Sequence, residues 1–366
     1  TRVKDPRVGR VYRDLVAFGA QPEILTDAHP HVGTNRLIKV LGNLRRYLLE
    51  AGCDLRFGAR VDGLLRDGDG AVHGVRLSDG GEVQGSSVIL ATGHSARDTY
   101  LWLHELGLQF VPKSFAIGAR VEHPQGLIDE IQYGQHAGHE DLGAARYAVS
   151  ARVGSRGVYS FCMCPGGFVI PTPAAPEHLN VNGMSNSNRG SRWANSALVV
   201  TVEPEDFWLE RPGDLDHHGA LAGVALQAHL ERLCYEAGGG GYRAPAQRVT
   251  DFLAVREGDV PSSTSYRPGI EAADLRSILP PRVVDPLSRA VHRFEQRLPG
   301  FLTEDAVLIG VETTTSSPLR ILRSETDLTA PGFSGLYPCG EGAGYSGGIV
   351  SSAIEGLRVA EAVLGA

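Results

Sequence analysis

Between Thr34 and Ala51 the apolar residues Leu37, Val40, Leu41, Leu44 and Leu48 recur at helical spacing, which predicts an amphipathic helix over 34–51. Thr34 is placed to cap it and Gly52 to end it. The period then shortens. Asp54–Phe57 and Ala59–Arg66 read as strands, Asp67-Gly-Asp-Gly70 as a hairpin turn, and Val72–Leu77 as the returning strand. Ser78–Gly81 turns again into a third strand, Glu82–Gln84. Ser87–Gly93 is almost wholly apolar before a small-residue turn, the pattern of a buried parallel strand. From about 100 to 305, glycine and proline interrupt short strands, and helices stand out at Leu221–Ala237 and about Asp285–Leu298. Gly238–Gly241 reads as a flexible loop. Ala306–Ile309 is a further buried-strand pattern, and Leu336–Cys339 is a strand that feeds a glycine-crowded loop. The closing helix, Ile349–Leu364, sets Val350, Ala353, Ile354, Leu357, Ala360 and Leu364 on one face.

This order predicts an α/β protein with an α+β insertion. Residues 1–99 and 306–366 read as parts of one nucleotide-binding, Rossmann-like domain, and 100–305 as a large mixed domain inserted into it. At 366 residues the chain is long enough for both. A hydrophobic content of 42% with 21% charged residues fits an ordinary globular protein. The net charge of −7 gives no basis for nucleic-acid or acidic-membrane partners. No apolar run reaches the length that spans a bilayer, and the N-terminal residues lack an apolar signal region. Five cysteines do not form a disulfide framework, so a reducing cytoplasm is the expected setting.

The chemistry concentrates in Gly335-Leu-Tyr-Pro-Cys-Gly-Glu-Gly-Ala-Gly-Tyr-Ser-Gly-Gly-Ile349. Gly340, Gly342, Gly344, Gly347 and Gly348 remove side chains so that backbone N–H groups can approach a ligand, and the dipole of the helix beginning at Ile349 favours an anion such as a pyrophosphate. Glu341 offers a carboxylate to a ribose or polyol. A tight turn that only packs helix on sheet is the competing explanation. Ala91-Thr92-Gly93 leads into His94, Ser95, Arg97 and Asp98. These form either a polar site cluster, with His94 as acid–base and Arg97 beside it, or a helix cap at Ser95 or Asp98.

Cys162 and Cys164 lie two apart, so on a regular strand both face one side. They read as two small packed residues, a strained disulfide, a thiol pair acting beside substrate or flavin, or half of a metal site. No second Cys/His pair at zinc spacing completes the last, and no metal ligand is assigned. Cys339 reads as strand packing, and Cys53 and Cys234 as structural residues following helices. His31, Thr34 and Arg36 are placed at the same mouth as His94. Lys113, Arg120, Glu122 and His123 read as a strand face that is either functional or solvated. Arg320 and Arg323 are anion-binding candidates, and His217-His218 is a surface pair in a polar loop.

The meander leading into Val88-Ile-Leu-Ala-Thr-Gly93, with the late strand, glycine loop and helix, resembles two-domain FAD-dependent oxidoreductases. Gly93-His-Ser-Ala-Arg-Asp98, Lys113-Ser-Phe-Ala-Ile-Gly118, Phe161-Cys-Met-Cys-Pro-Gly-Gly167, Asn182-Gly-Met-Ser185 and Gly340-Glu-Gly-Ala-Gly-Tyr-Ser-Gly-Gly-Ile349 narrow this. They resemble an uncharacterised bacterial NAD(P)/FAD-dependent dehydrogenase-like family along essentially the whole chain. The resemblance implies an FAD cofactor, NAD(P)H as a possible electron donor and a small-molecule substrate. It implies that Gly340, Glu341, Gly342, Ala343, Gly344, Gly347, Gly348 and Ile349 hold the ribityl–pyrophosphate side, with Val61, Ala91, Thr92 and Gly93 on the adenosine side.

Two departures stand out. The opening strand and Gly-x-Gly-x-x-Gly turn of such proteins are not found near the start, so the chain reads as a C-terminal portion, one that in isolation could lack FAD. Thr314 stands where an arginine is expected. A flavin-free binding or assembly module, self-associating through an incomplete sheet, is the alternative.

Overall fold

The interrupted middle of the sequence, where periodicity gives only short strands, folds into one seven-stranded sheet. The computed structural model describes residues 4–27, 30–207, 219–261 and 263–365; His217 and His218 lie outside them. The chain opens with α1 (Val8–Ala17), α2 (Thr34–Glu50) and a meander of β1 (Val61–Arg66), β2 (Val72–Leu77) and β3 (Glu82–Gln84). Next come β4 (Val88–Leu90), α3 (Arg97–Glu105), β5 (Phe110–Pro112), β6 (Phe115–Pro124) and α4 (Gln125–Tyr133). Then follow β7 (Ser150–Val153), β8 (Arg156–Cys164), β9 (Gly167–Pro171), β10 (Val181–Ser185), β11 (Trp193–Val202), α5 (Pro204–Phe207) and α6 (Ala222–Ala237). The remaining elements are β12 (Ala244–Arg248), α7 (Val249–Ala254), β13 (Ile270–Ala272), α8 (Pro281–Arg297), β14 (Val307–Glu312), β15 (Leu319–Ile321), β16 (Leu336–Pro338) and α9 (Ile349–Leu364).

The large sheet runs β13-β12-β14-β6-β11-β8-β7 and is mixed, because β12 and β13 pair in parallel while its other neighbours are antiparallel. Its central strands β6 and β11 are buried almost throughout, which explains why their sequences do not alternate. The main core joins Ile117, Val121, Leu198 and Val200 of these strands to Leu287, Val291 and Phe294 of α8 and Leu226 and Leu230 of α6. Burying each such side chain contributes about 1.5–3 kcal/mol. β14 lies just beyond the boundary expected at residue 305, yet its hydrogen bonds go to β6 and β12.

Three smaller pairings carry the rest. β1, β2 and β3 form the expected meander. β5 pairs antiparallel with β15, and β4 pairs in parallel with β16 in the register Val88–Leu336, Ile89–Tyr337, Leu90–Pro338. A second core, including Tyr100, Leu103, Phe110, Leu319, Ile321, Leu336 and Ala343, lies among α3, these short strands and the glycine loop.

Several expectations are corrected. Asp54–Phe57 is not a strand, because the segment has no pairing partner and Phe57 is 80% exposed. The strand at Ser87–Gly93 is parallel as expected but shorter, and Ile89 is 45% exposed rather than buried. Gly33 (φ 81°), not Thr34, occupies the cap position of α2, and no side chain caps that helix. Ala96, not Ser95 or Asp98, precedes α3. On α2 only Val40 is fully buried; Leu37, Leu44 and Leu48 are half-buried and Leu41 is exposed. On α9 Ile354 is buried with Glu355 and Val359, whereas Leu364 is exposed. Cys234 lies inside α6 and is buried; Cys53 follows α2 and is exposed.

Candidate functional site

After β16 the chain enters the glycine loop through Cys339, whose N–H donates to Leu90 O at 3.0 Å and extends the parallel pairing. Two kinds of glycine follow. A Cβ on Gly342 would stand 2.4 Å from Gly93 O, and one on Gly344 would stand 2.4 Å from Leu319 O, so these positions permit close backbone packing. A Cβ on Gly340, Gly347 or Gly348 would meet nothing within 4 Å, so these three leave open space. The Tyr100 hydroxyl donates to Gly342 O at 2.7 Å and lies 3.4 Å from Gly93 O, fastening the Ala91–Gly93 turn to the glycine loop. Gly348 (φ 106°) precedes α9, whose first-turn N–H groups have no in-helix acceptor.

The spacing Gly342-Ala-Gly344-Tyr-Ser-Gly347 is itself Gly-x-Gly-x-x-Gly between a strand and a helix, a signal available in the sequence. The roles differ from the dinucleotide fingerprint, in which the third glycine permits close helix–strand packing, since Gly347 faces open space.

Around this loop stand four titratable groups. His94 Nε2 lies 3.8 Å from Glu341 Oε1, and the other oxygen of Glu341 accepts from Gly348 N–H at 3.3 Å. Burial pushes the His94 pKa down, opposed by the Glu341 carboxylate, and its Nδ1 is buried with no partner. Lys113 lies 3.5 Å from Ser317 O; burial, and then the charge of Arg320, push its pKa down. Arg320 is exposed, with its guanidinium carbon 5.1 Å from the Tyr345 ring centre. On one side of Gly347 is a cleft of about 240 Å³, walled by Ser114, Phe115 and Ala116 at β6 and by Tyr159 and Phe161 of β8.

Other expected residues have different surroundings. Arg97 makes a two-pronged pair with Glu231 of α6 at 2.7 and 2.9 Å. Glu231 is fully buried and also accepts from Thr313 Oγ1 at 2.6 Å, so this guanidinium is committed to holding α3 against the interior. Glu231 and Gln227 sit four apart among Leu226, Leu230 and Cys234, a polar interruption of an apolar stripe that would have flagged them. Asp98 pairs with exposed Arg60 at 2.7 Å. Arg323 is not free for an anion: it lies against buried Glu355 at 2.5 Å and donates to Pro338 O at 2.7 Å. Thr314 Oγ1 accepts from Asn180 Nδ2 at 2.8 Å. His31 has partners beside β10 instead, Ser185 Oγ at 3.3 Å and Asn186 O at 3.4 Å. Val61 opens β1 in register with Leu77, while Ala91 and Thr92 are exposed after β4.

Of the strand face read as either functional or solvated, three residues are buried. Arg120, Glu122 and His123 are each at most 2% exposed. Glu122 accepts from Thr264 Oγ1 at 2.8 Å and from Ser265 N–H and Oγ. His123 Nε2 donates to Phe301 O at 2.8 Å, and burial pushes its pKa down to about 4. Arg120 donates from Nε to Asn195 Oδ1 and from Nη1 to Glu312 Oε2, both at 2.8 Å. Its Nη2 reaches Cys162 O at 2.5 Å and Cys164 Sγ at 3.5 Å. Cys162 has φ 49° where the β8–β11 register slips, so simple alternation fails: Cys162 is exposed and Cys164 buried. Cys339 is buried, and burial pushes its thiol up to about 11.

The family described as "FAD-dependent protein, C-terminal domain-like" matches residues 114–315, a span that contains every strand of the large sheet. A protein of Clostridium beijerinckii, itself uncharacterized, is 40% identical over 370 residues, covering 100% of this chain and 67% of the relative. Among solved structures, the flavin-dependent halogenase BrvH of Brevundimonas sp. BAL3 aligns at 17% identity and TM-score 0.23, covering 54% of this chain and 34% of that one. PqsL of P. aeruginosa, solved with 2-aminobenzoylacetate, aligns at 18% identity and TM-score 0.23, covering 51% and 39%. The chain thus spans between a third and two fifths of these two structures, and at such TM-scores they carry no argument about its site. No helix among the described residues is long and apolar enough to cross a membrane. By the family match and the long relative, this chain belongs to the FAD-dependent protein, C-terminal domain-like family.

Proposed function

We propose that the chain supplies one wall of an FAD site and that the whole protein is an FAD-dependent, dehydrogenase-like oxidoreductase acting on a small molecule, with NAD(P)H as electron donor. The observation that carries this reading is the open side of the glycine loop. Gly340, Gly347 and Gly348 face empty space beside the free N–H groups of α9, and His94 presents a buried Nδ1 with no partner. These residues fit the ribityl–diphosphate part of the cofactor: open backbone donors suit phosphate oxygens, and Lys113 and Arg320 add positive charge that offsets Glu341. Gly342, Ala343, Gly344 and Ile349 would complete that wall, with Ala91, Thr92 and Gly93 adjoining and Val61 toward the adenosine. FAD, when bound, supplies the hydride and electron chemistry. His94 is the residue placed to hold or release a proton at the loop. A cytoplasmic setting, with neither nucleic acid nor membrane as partner, belongs to the same reading.

The test is a titration with FAD followed by desalting and a visible spectrum, for the wild type and Gly347→Ala. Flavin bands retained by the wild type, with affinity at least about ten-fold weaker in the variant and thermal stability unchanged, support the site. A whole protein that keeps no flavin, or a variant that binds equally well, sinks it.

One observation favours a second reading, a flavin-free assembly module. Ile38 and Leu41 of α2 and Ile89 of β4 are large, apolar and exposed. Sedimentation that shows a concentration-dependent dimer in the absence of flavin would support it; a monomer throughout would remove it.

A further inference from the structure

Cys162 and Cys164 stand in a setting that packing alone does not explain. Between Phe161 and Cys164 strand β8 carries an extra residue relative to β11, where Asn195 pairs with Cys164 and Ala197 with Phe161. Cys162 sits in that bulge with φ 49°, a left-handed conformation that disfavours any residue with a Cβ. Asparagine or glycine would fill it with less strain, so a cysteine here carries a backbone cost of order 1 kcal/mol. The bulge brings the second cysteine back: Cys164 Sγ lies 3.3 Å from Cys162 O, and Arg120 Nη2 contacts both that carbonyl and that sulfur. Arg120 is fully buried and fixed by Glu312, Asn195 and Asn182, so its charge cannot swing away. A Cβ on Gly183 would collide with the same guanidinium at 2.1 Å, so β10 leaves room for it.

We propose that Cys162 and Cys164 form a reversible dithiol–disulfide couple seated on Arg120, with exposed Cys162 as the attacking thiol, buried Cys164 as the resolving thiol, and a low-molecular-weight disulfide as the oxidant. The two thiols are poised for opposite roles. Hydrogen bonding from Cys164, aided by the Arg120 charge against the effect of burial, brings the Cys162 pKa down to about 6. The same contact, with burial, pushes Cys164 well up, so it stays protonated until its partner has reacted.

The exchange balances as follows. The Cys162 thiolate attacks one sulfur of the small disulfide, forming a mixed disulfide and releasing one small thiolate. Cys164 then gives its proton to water, its sulfur attacks the sulfur of Cys162, and the second small thiolate leaves; the two small thiolates take up the two protons the protein thiols have released. Two protein thiols are oxidised by two electrons, one small disulfide is reduced to two thiols, and no flavin takes part. This couple therefore stands or falls independently of the FAD reading.

The experiment incubates the reduced, full chain with mixtures of reduced and oxidised glutathione, followed by intact mass and peptide mapping. The expected product is a chain lighter by two hydrogens with Cys162 and Cys164 joined. Cys164→Ser should stop at glutathione on Cys162, and Cys162→Ser should form neither product. Iodoacetamide labelling of the untreated wild type needs no variant: at pH 6, Cys162 should react on the order of ten-fold faster than exposed Cys53. Labelling no faster than Cys53, or wild-type chains that retain glutathione without closing the internal disulfide, would overturn the proposal.

Discussion

In the large sheet, every nitrogen of the Arg120 guanidinium has an acceptor, and its charge is matched by Glu312 at 2.8 Å. At the glycine loop nothing comparable closes the site: His94 Nδ1 is buried without a partner, a Cβ on any of three glycines would meet open space, and the first-turn N–H groups of α9 have no in-helix acceptor. Both regions place polar atoms away from bulk water; the buried guanidinium of the sheet is fully partnered from within the chain, although His123 Nδ1 and Asn195 Nδ2 beside it are not, whereas the loop leaves its histidine and its glycine backbone open. The contrast separates charges matched within the chain from polar groups left open, and a buried group with no partner costs roughly 1–3 kcal/mol. His94 belongs to the second kind, and the charges of Arg97 and Arg323, matched by Glu231 and Glu355, to the first.

The sharpest way to break this contrast is Arg120→Ala. It leaves the Glu312 carboxylate buried and uncompensated, and a loss of roughly 3–5 kcal/mol in unfolding free energy is expected by urea titration. A loss below about 1 kcal/mol would show that the sheet tolerates an open polar site as the loop does.

Next in size is the pH response of His123. Its pKa is about 4 in the folded chain, against about 6.5 for an exposed histidine, so the unfolded chain takes up the proton first. The stability it contributes is present above about pH 6.5 and falls as pH drops toward about 4, by roughly 3 kcal/mol at most. His123→Gln, which retains a donor toward Phe301 O, should show a correspondingly shallower fall in melting temperature over that window.

Smaller still is the pair Gly342→Ala and Gly347→Ala. The first drives a methyl into Gly93 O and should cost about 1–3 kcal/mol; the second meets open space and should stay within about 0.5 kcal/mol, by thermal melts. Equal effects would erase the division between packing and ligand-facing glycines. Last, Asp98→Asn removes an exposed pair with Arg60 and should change stability by less than about 0.5 kcal/mol.

Local elements were largely legible. The meander, α6, the glycine loop and α9 follow from short-range periodicity and turn residues, and the Ala91–Gly93 turn does lie against Gly342. The large sheet was not, because its pairings join distant segments: Arg120 and Glu312 are 192 residues apart, and nothing local marks them as partners. The Cys162 bulge was illegible for another reason. Alternation assumes an unbroken strand, and one left-handed residue turns the face over. Periodicity also gave α2 an apolar face without saying how fully it is covered; among the described residues Val40 is covered, Leu37, Leu44 and Leu48 are half-covered and Leu41 is not.

The parallel pairing of Ile89 with Tyr337 sets a timetable for the growing chain. β4 emerges about 250 residues before β16, which at ~5–20 residues per second is a wait of roughly 10–50 s. During that interval the edge of Val88-Ile-Leu90 that β16 will cover is unpaired, a template for contact with other nascent chains. Synthesis of β16 closes that edge, so the segment that leads into the glycine loop also ends this exposure.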